Sequence, residues 1–196
     1  MSRTKTVGAC IVCALWIVGA GCQQPKGDMA EMMKPPPRPA ELDKLDMLVG
    51  RWEGNFEFHM GDKVMKGTGT NTTLWDADKW VLLEREEGSM GDMGKHVGLG
   101  FWSWDSKARV FRTAYSNNHG EFGEGTVTYD ENSRIWHMKG REHGLMGDSV
   151  GEGTFKMVGP DSMEWNFTMW DGLKLRKLAT MTGTSKRVGG APMDHH

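Results

Sequence analysis

The phrase Gly67-Thr68-Gly69-Thr70 returns as Gly123-Glu124-Gly125-Thr126 and Gly151-Glu152-Gly153-Thr154, with a variant, Gly98-Leu99-Gly100-Phe101, between them. Each copy opens a strand-like stretch, meets an Asp-marked turn and continues into a second strand rich in Trp, Phe or Met. The copies start 31, 25 and 28 residues apart, the length of two strands and two turns. A repeat at that pitch predicts one antiparallel sheet folded back and forth on itself.

Outward from the repeat, the period identifies the remaining elements. Trp52, Phe56, Phe58 and Met60 alternate with Arg51, Glu53, Asn55, Glu57 and His59, the pattern of a half-buried strand. Before it, Leu42, Leu45, Leu48 and Val49 fall on one face at helical spacing, so a short amphipathic helix is expected from Glu41 to Val49, stopped by Gly50. Four hairpin units follow, turning at Trp75-Asp76, Trp104-Asp105, Tyr129-Asp130 and Gly159-Pro160-Asp161. Asp171-Gly172 signals a two-residue hairpin turn, with the closing strand expected from Leu173 to Thr184. The count is ten strands. An open meander of that size would expose two edges and a wide apolar face, so closure into an all-β, up-and-down antiparallel barrel is expected. The paired glycines are read as bend points within strands. No copy has the third glycine of a phosphate-binding G-x-G-x-x-G or leads into a helix.

The chain ends read differently. Arg3 and Lys5 precede a 12-residue apolar run, Val7 to Val18, too short to span a bilayer but the length of a secretory signal core. Gly19-Ala20-Gly21 and Cys22 follow, and this resembles the bacterial lipoprotein signal, in which the cysteine is lipidated, with palmitate as an expected acyl group, and becomes the mature N-terminus. Gly19 departs from the aliphatic residue the pattern prefers. Residues 1–21 are therefore expected to be a signal peptide and Cys22 the lipid anchor. Cys10 and Cys13 lie inside the signal core, so their C-x-x-C spacing is read as neither a redox nor a metal motif. Residues 22–40 contain Pro25, Pro35, Pro36, Pro37 and Pro39 and read as a tether. Residues 188–196 are expected to be a disordered tail. Residues 41–187 form the expected barrel domain, large enough for its own core. The expected location is the cell envelope, and Gln23 after the lipid cysteine favours the outer membrane by resemblance to proteobacterial sorting. Loss of Arg3 and Lys5 moves the formal charge from −2 to −4, and a mildly acidic chain has no basic footprint for nucleic acid.

The segment Leu48-Val49-Gly50-Arg51-Trp52-Glu53-Gly54, the Gly-x-Gly-Thr strands and the Trp/Tyr-Asp turns resemble the DUF1579 family of bacterial proteins over roughly residues 42–187. The resemblance implies a lipocalin-like or fatty-acid-binding-protein-like barrel and implies no catalytic residues.

For such a barrel the question of function becomes which side chains point inward. The candidates for lining a ligand pocket are Trp52, Phe56, Glu84, Arg112, Tyr115, Trp136, Trp165 and Phe167. Arg112 and Tyr115 are expected to hold an anionic head group. Glu84 and Glu86 share one strand face, with Arg85 and Glu87 on the other, so at least one ionisable group faces the interior. The bland reading is ordinary core packing by the aromatics and an outward or internally paired arginine. The function expected is non-catalytic binding of a small hydrophobic or amphipathic molecule, and the alternative is a structural or interaction protein of the envelope with a filled barrel. Three further readings stay open. Met90, Met93 and Met146 beside His96 and His143 could hold copper. The histidines could hold haem as in nitrobindin-type barrels, although no position matches. Glu84 and Glu86 could act as acid and base. No H-x-x-x-H or H-E-x-x-H spacing, no G-x-S-x-G elbow and no mature cysteine nucleophile exist, so neither a cofactor nor a catalytic residue is assigned.

Overall fold

The structure, a computed structural model, describes residues 34–91, 94–144 and 147–189. The signal segment, Cys22, Met93, Met146 and most of the tether and tail lie outside the described residues. Alternating sequence becomes ten strands: β1 (Gly50–Met60), β2 (Lys63–Asp76), β3 (Val81–Met90), β4 (Lys95–Asp105), β5 (Val110–Asn117), β6 (Phe122–Asp130), β7 (Ile135–Gly144), β8 (Gly147–Gly159), β9 (Ser162–Asp171) and β10 (Lys177–Gly189). Each pairs antiparallel with its sequence neighbours, and β1 pairs with β10 through Trp52 opposite Arg187 and Phe56 opposite Gly183. The sheet is a closed barrel with no free edge. The hairpin signals therefore placed every strand pair, because meander connections leave one pairing order.

Two boundaries differ from expectation. Asp171-Gly172 does not form a two-residue turn. Leu173 to Arg176 stay outside the ladder, Asp171 Oδ1 accepts the Leu175 N–H at 2.7 Å, and β10 begins at Lys177. At its far end β10 runs to Gly189, so Val188 is in the strand.

The helix Ala40–Leu48 is a 3-10 helix. Its leucines explain the type: Leu42, Leu45 and Leu48 are three apart, and with three residues per turn they align on one edge. They insert into one end of the barrel and are 0%, 0% and 7% exposed. Burial of each stabilises by about 1.5–3 kcal/mol. Trp75 Nε1 donates to Asp46 Oδ1 at 2.7 Å, and Arg187 Nη2 donates to the Met47 carbonyl at 2.8 Å, fixing the helix to the wall.

The aromatic-Asp turns build this closed end. Trp75, Trp104 and Tyr129 point inward onto the leucine cluster. The following aspartates fold the turns: Asp105 Oδ1 accepts the Lys107 and Ala108 N–H groups at 3.1 and 2.9 Å, and Asp130 Oδ1 accepts Asn132 N–H at 2.9 Å. Leu82, Phe111, Val127, Trp136 and Phe155 complete the core, with Trp136 stacked on Phe155 at 5.3 Å. This half of the barrel is filled. The opposite end, reached by the β1–β2, β3–β4, β5–β6, β7–β8 and β9–β10 turns, has no such plug among the described residues.

Candidate functional site

Strand period decides which side chains meet inside. On β3, Leu82, Glu84 and Glu86 share the inward face, while Arg85 and Glu87 point outward and pair with each other at 3.1 Å. On β4 the inward set is His96, Gly98, Gly100, Trp102 and Trp104. On β5 it is Phe111, Thr113, Tyr115 and Asn117.

The glycine repeat of β4 makes room for this site. Glu84 lies opposite Gly100 and Glu86 opposite Gly98. A Cβ on Gly98 would stand 2.5 Å from the Tyr115 ring and its hydroxyl, and one on Gly100 would stand 3.6 Å from Glu84 Oε2. The other copies behave alike. The Phe56 ring covers Gly67, the Trp165 ring covers Gly183, and the Phe167 ring covers Gly151 and Gly153. Each ring folds flat over a neighbouring strand instead of projecting to the axis. The bend-point reading of the glycines is thus only part of their role: they give the interior its shape.

Glu84 is the inward carboxylate nearest the filled end on β3. Its Oε2 accepts the Trp102 indole N–H at 2.9 Å and its Oε1 accepts the Asn71 amide. Burial, and then the neighbouring Glu86, push its carboxyl above the ordinary range, against the pull of those two donors. Glu84 points into the barrel between Trp102 and Asn71 and is half-buried. On the inward face of β3, that exposure is toward the barrel interior. The same half-burial holds for inward-facing Phe56, Asn71, Glu86, Tyr115, Trp165, Phe167 and Met181. The half of the barrel away from the helix is therefore an open cup.

Above Glu84 sits a three-residue cluster. His96 Nε2 is 2.8 Å from Glu86 Oε1 and 2.5 Å from the Tyr115 hydroxyl, which itself donates to Glu86 Oε1 at 2.5 Å. The bond to Glu86 raises the His96 pKa above its usual 6.5, against burial, which lowers it. Burial and the Glu86 charge push the Tyr115 phenol far up, so it remains a neutral donor. The His119 ring stacks on His96 at 5.6 Å, and Asn117 Nδ2 donates to Glu121 Oε2 at 2.6 Å at the rim. Glu142, inward on β7, is raised by burial and then by Glu121. The wall formed by β9, β10 and β1 is apolar by contrast, with Phe56, Phe167, Met169 and Met181.

The expected lining residues separate into three groups. Phe56, Glu84, Tyr115, Trp165 and Phe167 face the cup. Trp52 and Trp136 face inward at the filled end: Trp52 is 3% exposed, donates to the Leu48 carbonyl at 2.9 Å and lies under the Arg187 guanidinium at 4.4 Å, while Trp136 is fully buried. Arg112 is on the outer wall. It alternates to the face opposite Tyr115, because residues three apart in a strand point opposite ways, and its Nε and Nη2 bond Asp105 Oδ2 at 3.1 and 3.0 Å. The expected Arg112–Tyr115 head-group clamp is not formed.

The sequence pairs Glu86 with Glu84 on one face, but it offers His96 only as a copper or haem candidate and does not single out Asn71, Trp102 or Glu142. The signal was present: His96, Gly98, Gly100, Trp102 and Trp104 alternate without a break, so His96 belongs to the inward face of a strand. Among the described residues no group of three or more His, Cys, Asp or Glu side chains is arranged to hold a metal ion. Two broader grooves, about 840 and 770 Å³, lie away from this cluster: the first runs along β1, β2, β8, β9 and β10 and touches Phe56, Phe155 and Trp165 among Thr, Asn, Lys and Glu side chains, and the second lies around β1, β2, β3 and β10.

The fold and the cup define a lipocalin-like barrel. The S-type phycobiliprotein lyase from Guillardia theta is 12% identical, with a TM-score of 0.57, covering 78% of this chain and 95% of its own. The protein Rv2717c from M. tuberculosis is also 12% identical, with a TM-score of 0.59, over 78% of this chain and 99% of its own. At that identity the likeness is one of fold. No family model and no curated protein sequence matches the chain.

Proposed function

We propose that this protein binds a small hydrophobic or amphipathic molecule in the open half of its barrel and performs no chemistry on it. One observation carries the reading: inward-facing side chains beyond the leucine plug retain accessible surface, and they divide into an apolar wall and a polar one. Small-molecule sites combine those features, a concave apolar lining with a few convergent polar groups. The resemblance to DUF1579, which implies no catalytic residues, is part of the same reading. So is the envelope lipoprotein, anchored through Cys22 and held off the membrane by the proline-containing segment. Native mass spectrometry of the protein purified from its host tests the binding role. A retained ligand appears as added mass, and its absence together with no uptake of a hydrophobic fluorophore would overturn the proposal. The anchor is tested separately: Cys22→Ser must lose acylation and leave the membrane fraction.

A second reading, a structural or interaction protein of the envelope, is favoured by the filled half, where Leu42, Leu45, Trp136 and Leu82 are fully buried. It requires that the cup hold only water, which the same mass measurement decides.

A further inference from the structure

The charges inside the cup have one sign. Glu84, Glu86 and Glu142 point into it and Glu121 stands at its rim, against His96 and the His119 ring stacked on it. The cations of β3, β4 and β5, and Arg187 of β10, are directed elsewhere, and Lys63 of β2 stands exposed at the mouth. Arg85 and Lys95 bond Glu87 on the outer wall, Arg112 bonds Asp105, and Arg187 is held at the filled end by Asp161 and the Val49 and Met47 carbonyls.

Glu84 is the telling member of the set. His96 is committed to Glu86 and Tyr115, so Glu84 has only two neutral donors, the Trp102 indole and the Asn71 amide, one to each oxygen. Each carboxylate oxygen can accept a second bond, and this half-buried carboxylate lacks a counter-charge. Glu142 has no hydrogen-bond partner among the described residues and also faces inward. Across from them lie Phe56, Phe167 and Met181, an apolar surface with no charge of its own.

We infer that the ligand is a cationic amphiphile, an amine-bearing molecule whose positive head sits against Glu84, with Glu142 adding to the negative charge of the cup, while its apolar body lies along Phe56, Phe167 and Met181. This rests on the cup being the binding site and goes beyond it by naming the charge. The ammonium supplies the missing counter-ion and donates to the free acceptor positions of Glu84. The Trp102 and Tyr115 rings on the same wall add an aromatic surface that favours a cation. An anionic head inside the cup would meet Glu84, Glu86 and Glu142, with Glu121 at the rim, while Lys63, on the inward alternation of β2, stands exposed at the mouth opposite Met60.

The test compares three probes of equal chain length, decylamine, decanol and decanoate, titrated below their micellar concentrations at about pH 7 and followed by tryptophan fluorescence and calorimetry. At that pH decylamine is protonated. The expected order is decylamine tightest, at least about tenfold over decanol, with decanoate weakest. Glu84→Gln erases the tenfold advantage, whereas Glu164→Gln on the outer wall leaves it intact. If Glu84→Gln fails to fold, Glu142→Gln must still reduce the preference for the amine. Decanol or decanoate binding as tightly as decylamine overturns the cationic assignment and leaves the binding cup standing. Failure of all three probes to bind overturns the cup itself, and the charge preference with it.

Discussion

The Tyr115 ring rests on the backbone of Gly98, on the neighbouring strand, so closely that a methyl group at position 98 would stand 2.5 Å from both ring and hydroxyl. That contact positions the phenol for its bonds to Glu86 and His96. It joins the repeat that defines the fold to the polar wall of the cup. Gly98→Ala is expected to push Tyr115 away and destabilise by about 1–3 kcal/mol, the range for overpacking. Gly100→Ala, whose Cβ would meet nothing nearer than 3.4 Å, is expected to stay within about 0.5 kcal/mol of the parent. Urea denaturation of the pair reads the contrast, and equal losses would refute the steric role of Gly98.

Leu45 is fully buried in the plug, and no polar group of its own compensates its loss. Leu45→Ala is expected to cost about 2–5 kcal/mol through lost burial and a residual cavity. Thermal unfolding checks this. A change below about 1 kcal/mol would show that the helix does not seal the barrel.

The pH dependence of stability has a definite sign. His96 has a folded-state pKa above 6.5, so its contribution is complete below 6.5 and is lost as pH rises through the raised value. Glu84 has a folded-state pKa above 4.5, so the folded chain keeps a proton that the unfolded chain has released in the window above 4.5. Both groups make the folded state bind more protons, and stability is expected to fall as pH rises from 4.5 through and beyond 6.5. The lowered carboxyls of Glu87, Asp105, Asp130 and Glu152 act with the opposite sign, but only below their ordinary values of 3.8 to 4.5. Denaturation midpoints across that range measure the slope. Glu84→Gln should flatten its lower part and His96→Gln its upper part, and a stability that rises with pH would contradict both assignments.

Arg112 is held on the outer wall by Asp105, whose carboxyl is kept low first by the Ala108 N–H and then by Arg112. Arg112→Ala is expected to leave decylamine affinity unchanged. A loss of affinity beyond about threefold, which is under 1 kcal/mol by the usual conversion, would place the guanidinium within reach of the ligand after all.

Strand order and barrel closure were legible because their causes are local. Alternation marks each strand, Asp76, Asp105 and Asp130 mark the turns, and a ten-stranded meander closes to remove its edges. The leucines of the plug were legible as a face, but the helix type was not. Val49 fits an α-helical stripe, whereas the packed edge is Leu42, Leu45 and Leu48 at a spacing of three. Arg112 and Tyr115 lie three residues apart, and the two-residue period of β5 sends them to opposite sides of the wall.

By itself the sequence determined that the chain is an up-and-down barrel with aromatic-Asp turns, since periodicity and turn chemistry act over a few residues. It also determined that Glu84 and Glu86 share a face, since a strand alternates with period two. Only the tertiary structure decided that this face is the inner one, that Trp52 and Trp136 belong to the filled end, and that Glu86, His96 and Tyr115 meet. Those facts depend on three adjacent strands in register, with Glu86 opposite Gly98 and Tyr115 opposite Gly100. They depend also on rings that fold over glycines across the ladder. Such contacts form between residues distant in sequence, where no local period records them.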